Sequence, residues 1–254
     1  PQNAVVPLTI TPNWFASATT GAWTTVATTG KLSAIPSSGG IAVADTIVNA
    51  WCGAAVYQEQ REFILAANGG HGDGYDNSVY ALSLGSENPV WRRIADPTPI
   101  LAMNPSPPID NNWTETDGKF SDGKPKAMHS TNECFADGKV WFPMMNSVSS
   151  GQGGHANWVL SFDRASLGTA SSSLPYSSNV VDPWRFHGRT NSNTTTFGFG
   201  RSVFDKVNHK MYCIANGSGS AGVWWWKFDT QGSNIGVSSA YEGNLTVMPA
   251  WAVC

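Results

Sequence analysis

The sequence has little charge, no long apolar run and no closely spaced cysteines, and each deficit removes a class of protein. Only 13% of its 254 residues are charged, and 15 basic against 18 acidic side chains give a formal net charge of -3. Proteins that bind nucleic acid neutralise phosphates with a surplus of Lys and Arg, so nucleic acid is not an expected partner. No stretch reaches the roughly 18 apolar residues that a membrane-spanning helix requires. The run Ala4-Val5-Val6-Pro7-Leu8 is too short, and lacks the basic flank, to be a signal peptide. The chain is therefore read as soluble. It begins at Pro1 without an initiator Met, which points to a processed, trimmed or partial product.

The four cysteines, Cys52, Cys134, Cys213 and Cys254, lie far apart with no CxxC or CxxH spacing. Neither a zinc site nor a dense disulfide framework is indicated. Each sits in an apolar, strand-like run and is expected to pack as a small hydrophobe with a free thiol; a disulfide between neighbouring units is the alternative. The nucleophile elbow Gly-x-Ser-x-Gly, the complete phosphate loop Gly-x-x-x-x-Gly-Lys-Ser/Thr and the zinc helix His-Glu-x-x-His are also missing. No metal and no cofactor is expected. What is abundant is turn and core material: 26 Gly and 15 Pro, with 41% hydrophobic and 11% aromatic residues. That composition describes many short strands joined by turns.

Internal repetition organises these strands. Three segments share one pattern, in which an aromatic residue closes a strand, a polar turn reverses the chain, and an apolar run leads to Asn before a small-residue loop. The first runs from Val56-Tyr57 through Phe63-Ile64-Leu65 to Asn68-Gly69-Gly70. The second runs from Cys134-Phe135 through Val140-Trp141-Phe142 to Asn146, and the third from Val203-Phe204 through Met211-Tyr212-Cys213-Ile214 to Asn216-Gly217. A third strand of alternating character follows each hairpin, at 78–84, 158–163 and 223–229, and a short strand led by Trp follows at 91–94 and 184–187. Four antiparallel strands per unit make a propeller blade.

Gly69-Gly70 after an apolar strand, Tyr80 on the next strand and Trp91 closing the unit resemble a kelch repeat. The stretch from Asn68-Gly69-Gly70-His71-Gly72-Asp73 to Tyr80-Ala81-Leu82 is similar to the kelch-type propellers of phage-encoded and secreted bacterial proteins, which are mostly of unassigned function. The later units depart from it, with Asn146-Ser147 and Asn216-Gly217 where Gly-Gly is expected. The resemblance covers residues 48–254 and implies an all-β, kelch-like β-propeller of about three four-stranded blades, at 51–94, 130–187 and 198–242, with another beginning at 250–254. Residues 1–47 form an N-terminal segment with an orphan outer strand near 23–26, where Trp23-Thr24-Thr25-Val26 repeats the closing pattern. Closed rings need at least about four blades. The ring is thus expected to be incomplete, finished by other chains or a missing C-terminal part, or left as an open arc. The resemblance further implies an extracellular or virion-surface location.

Blade geometry sorts the loops onto two faces. The links at 68–77, 96–130, 146–157 and 187–197 share one face, and the turns of the first hairpins, including Asn208-His209-Lys210, share the other. The first face gathers His71, His129, His155 and His187 with Asp73, Tyr75, Trp113, Arg189 and the stretch Pro105-Ser106-Pro107-Pro108. Loops longer than about 12–15 residues without regular structure are usually functional or disordered, so the excursion at 96–130 is the expected interaction element.

Two chemical readings of that face compete. His71 and His155 sit in similar Gly-Gly-His loops, and with Asp73 they have the residue types for metal binding or acid/base exchange. The plainer reading is that these imidazoles pin backbone carbonyls and hold their loops. Tyr75, His129 and Arg189 would complete a lyase-type site on a polysaccharide, a base removing the proton beside a uronate carboxylate while Arg neutralises the developing charge; that analogy is at the level of fold. Trp224-Trp225-Trp226 is read as packing between blades, with a sugar-stacking platform as the alternative. The expected function is non-catalytic recognition of a glycan or protein surface, with His71, Asp73, Tyr75, Trp113, His129 and His155 as ligand contacts. A polysaccharide-active enzyme and a structural virion subunit are the alternatives.

Overall fold

The computed structural model describes residues 12–23, 25–26, 53–66, 77–98, 124–125, 133–142, 158–167, 183–189, 201–216, 223–232 and 243–245. Apart from the four-residue helix α1 (Asn13–Ala16) and a 3-10 turn (Ala165–Leu167), every regular element among them is a β-strand. None of the described helices is long and apolar enough to cross a membrane.

The strands form three four-stranded antiparallel sheets. Sheet 1 contains β1 (Ala55–Tyr57), β2 (Glu62–Ala66), β3 (Val79–Ser83) and β4 (Trp91–Ala95). Sheet 2 contains β5 (Cys134–Ala136), β6 (Lys139–Phe142), β7 (Trp158–Asp163) and β8 (Trp184–Arg189). Sheet 3 contains β9 (Arg201–Asp205), β10 (Lys210–Asn216), β11 (Val223–Asp229) and β12 (Gly243–Leu245). In each sheet the strands are neighbours in chain order, so three meanders follow one another. The hairpins and third strands read from the repeat lie within these sheets. The fourth strand of sheet 3 begins at 243, just past the expected limit of 242, because Gly-Asn-Leu carries no leading Trp to mark it. Of the stretch expected to hold a strand near 23–26, the described residues Trp23, Thr25 and Val26 belong to no strand, and the Trp23 side chain is fully exposed.

The opening hairpins show why these residues turn. Asp137-Gly138 forms a two-residue loop with φ of 49° and 79°, the left-handed pair that matches strand twist and suits Asp-Gly. Sheets 1 and 3 use four-residue loops instead, each ending in a left-handed residue, Arg61 (φ 52°) or His209 (φ 51°). Asp205 braces the third loop by accepting the Val207 and Asn208 amides at 2.9 and 3.1 Å. A second repeated device is a bulge. Register jumps by one residue opposite Val79/Tyr80 and Val159/Leu160, leaving Ile94 on β4 and His187 on β8 as the extra residues.

The sheets pack face to face through apolar layers. Ile64, Ala66, Val79 and Ala81 of sheet 1 meet Val140, Phe142, Leu160, Phe162 and Trp184 of sheet 2. On the other side of sheet 2, Ala136, Trp141 and Val159 meet Met211 and Phe228 of sheet 3. Alternation along β6 thus buries Val140 and Phe142 against one neighbour and Trp141 against the other, which is why Val-Trp-Phe is apolar without interruption. The first strands also touch in sequence, β1 against β5 and β5 against β9. That contact brings the three opening hairpins together.

Candidate functional site

Where the first strands converge, a cavity of about 410 Å³ opens at the end bearing the hairpin turns. Sheet 1 contributes Val56, Tyr57, Gln58 and Glu59. Phe135, Ala136, Asp137 and Gly138 enter from sheet 2, and Phe204 and Lys206 from sheet 3. Its size falls in the range of small-molecule pockets. Tyr57 and Phe135 stack across the first junction, ring centroids 4.0 Å apart and 19° from parallel. Burial, then the neighbouring Glu59 carboxylate, raises the Tyr57 pKa and keeps its hydroxyl neutral. Gln58, Glu59 and Lys206 stand exposed at the mouth. The walls are therefore aromatic and the rim polar, with charges of both signs.

Behind the cavity a line of polar contacts crosses all three sheets. Arg164, 1% exposed, donates from Nε and Nη2 to the two oxygens of Glu62, each at 2.8 Å, and Arg92 donates to the same carboxylate at 2.6 Å. Next to Arg164, the Ala165 amide donates to the Gly138 carbonyl at 3.1 Å. Asp137 then reaches sheet 3: His209 Nδ1 lies 3.0 Å from one oxygen, and Thr230 Oγ1 donates to the other at 2.6 Å. An ionised carboxylate has no proton to give, so Nδ1 carries the hydrogen in this pair. At both junctions an acid on one sheet takes its donors from the next.

At the far end of sheet 1, roughly 17 Å away along a five-residue strand, Asn77 acts as a clamp. Its buried amide Nδ2 donates to Thr98 Oγ1 at 2.9 Å and to the Pro125 carbonyl at 2.7 Å, while Oδ1 accepts the Thr98 amide at 2.8 Å. Lys124 Nζ adds a bond to the Pro97 carbonyl at 3.3 Å. Residues 97–98 and 124–125 are thereby held together beside the start of β3. Asn77 leaves none of its side-chain polar atoms idle, which makes it a stiff tie.

His187 requires a correction. It was expected to end the strand at 184–187 and open the link at 187–197 on the face of His71, His129 and His155, yet it lies inside β8, which runs on to Arg189. The bulge turns its ring onto Trp141 (4.8 Å, 27°), and Nε2 lies 2.8 Å from Ser161 Oγ. Burial, reinforced by Lys139 and Arg185, lowers its pKa to about 4, so the ring is neutral packing at ordinary pH. Burial alone pushes the free Cys134 thiol up to about 11, in keeping with a packed, unreactive sulfur.

His71, Asp73, Tyr75, Trp113, His129 and His155 lie outside the described residues, as do Cys52 and Cys254. Arg189 ends β8 opposite Trp158, and Trp224-Trp225-Trp226 runs along β11; only their backbones are described. His209 stands in the turn where the repeat placed it. Reading the repeat did not single out Glu62, Asn77, Asp137, Arg164 or Thr230. The Asp-Gly dipeptide was a visible signal for Asp137, but nothing local marks Arg164, whose partner is 102 residues away. Among the described residues no group of three or more His, Cys, Asp or Glu is arranged to hold a metal. Neither a protein-family model nor a curated protein matches the sequence.

Proposed function

We propose that the chain is a non-catalytic binding module, a run of three kelch-like propeller blades displaying its long loops to a glycan or protein surface in a secreted or virion-associated protein. Three consecutive four-stranded meanders whose first strands touch in order support the blade reading, because blades put their first strands nearest a common axis. The observation that carries the binding role is the Asn77 clamp. It ties Thr98 to Pro125, two points of the excursion at 96–130, next to the end of the stretch that carries His71, Asp73 and Tyr75 in the sequence. Recognition loops work best when rigid elements position them, and a side chain that spends every polar atom on two points of one excursion is such a support. Trp113 lies in that excursion and supplies the aromatic surface that sugar and protein contacts favour.

The test is a glycan array probed with the native full-length protein, beside a Trp113→Ala variant. Binding to a restricted set of glycans is expected, falling about tenfold or more in the variant, the scale of about 1.4 kcal/mol for an aromatic contact. Equal binding by the variant would overturn the role of the excursion. A silent array, together with capture of a protein partner that depends on Trp113, would move the reading to a protein surface; silence in both would sink it.

A further inference from the structure

The cavity at the hairpin end lies at the opposite end of sheet 1 from the Asn77 clamp. Its aromatic walls come from different sheets, Tyr57 stacked on Phe135 with Phe204 beyond. Aromatic faces of this kind receive the C–H face of a pyranose or another flat apolar surface. The rim decides between these. Asp137 already binds His209 and Thr230, so the charges turned toward a ligand are the exposed carboxylate of Glu59 and the exposed ammonium of Lys206, with the Gln58 amide between them in chemical character. They sum to zero and offer both acceptors and donors.

A purely apolar ligand would leave those groups unmatched and partly desolvated. An anion would meet Glu59, and a cation would meet Lys206. A polyhydroxylated neutral ring matches all of them, since each hydroxyl both donates and accepts. We infer that this cavity is a second binding site, independent of the loop-face reading, and that it takes one neutral sugar residue, packed against an outer face of the Tyr57–Phe135 stack and hydrogen-bonded by Gln58, Glu59 and Lys206.

The experiment is calorimetric titration of the full chain with methyl glycosides of glucose, galactose, mannose and N-acetylglucosamine, and with methyl glucuronide and glucosamine as charged counterparts. Saturation-transfer NMR reads which protons face the rings. At least one neutral glycoside is expected to saturate the protein, with transfer strongest on one ring face, and both charged counterparts to bind about tenfold more weakly. Glu59→Gln and Lys206→Met sit on exposed turns and leave the core untouched, so they test the site without unfolding it; each is expected to weaken binding about tenfold. Val207→Ser, on the same turn as Lys206 but outside the lining, is expected to titrate as the parent. The inference is overturned if no neutral glycoside saturates, if a charged one binds equally or better, or if Glu59→Gln and Lys206→Met both bind as the parent does.

Discussion

At the residue scale the same bulge serves two purposes. In sheet 1 it places Ile94 in the apolar layer, 5% exposed; in sheet 2 it places His187 against Trp141. An imidazole at a position otherwise filled by Ile makes stability depend on pH. The folded pKa of about 4 lies below the ordinary imidazole value of 6.5, so between these values the unfolded chain binds more protons than the folded one, and stability falls as pH falls. His187 thus contributes fully above about pH 6.5 and loses its contribution as the pH drops through the folded value. Thermal melts between pH 7 and pH 4 should show the midpoint falling, and His187→Gln should flatten that slope. Identical slopes in the two proteins would show that His187 titrates freely. Glu62 makes the contrasting point: its carboxylate is shared by Arg92 and Arg164, so removing the acid takes the counter-charge from both guanidinium groups, whereas removing either Arg leaves the other pair intact.

At the scale of elements, the hairpins were legible because their information is local. Asp137-Gly138 between apolar runs is a two-residue turn on chemistry alone, and the alternation of β3, β7 and β11 fixes which residues face a neighbouring sheet. The bulges were not legible, because the extra residue is defined by the partner strand and nothing in Arg-Arg-Ile-Ala or Arg-Phe-His-Gly announces it. That is why His187 was expected at a strand end on the loop face. The turn of sheet 2 also carries a quantitative expectation. Gly138 has φ of 79°, and a Cβ there would come within 3.1 Å of the Ala165 side chain. Left-handed strain costs an ordinary residue roughly 1–2 kcal/mol, and the tight contact adds to it. Gly138→Ala is expected to lower unfolding stability by about 1–3 kcal/mol in urea; a neutral result would mean that the turn relaxes away from Ala165.

For the molecule as a whole, the question is whether three sheets make one cooperative body or three loosely stacked ones. The apolar layers alone leave either answer open, because sheet 2 meets its two neighbours through opposite faces. The polar line at the hairpin end decides it. Glu62 of sheet 1 holds Arg164, and Asp137 holds His209 and Thr230 of sheet 3. Within sheet 2 these anchors join through the bond from Ala165 to Gly138, whose residues adjoin Arg164 and Asp137 in the chain. A change at one junction therefore moves the turn that positions the other. Little of this was visible in the sequence, for the contacts span 72 to 102 residues and follow from how meanders stack. A double-mutant cycle reads the coupling. Glu62→Gln and Thr230→Val lie on different sheets and share no partner, and independent sites add to within about 0.3–0.5 kcal/mol. Transmission through the sheet 2 turn predicts a deviation beyond that range, on the order of 0.5–1 kcal/mol, with Gly138→Ala reducing it. Strict additivity in denaturant unfolding would show that the junctions open separately, and the hairpin-end cavity, walled by all three sheets, would then lose a wall whenever one sheet parts from the next.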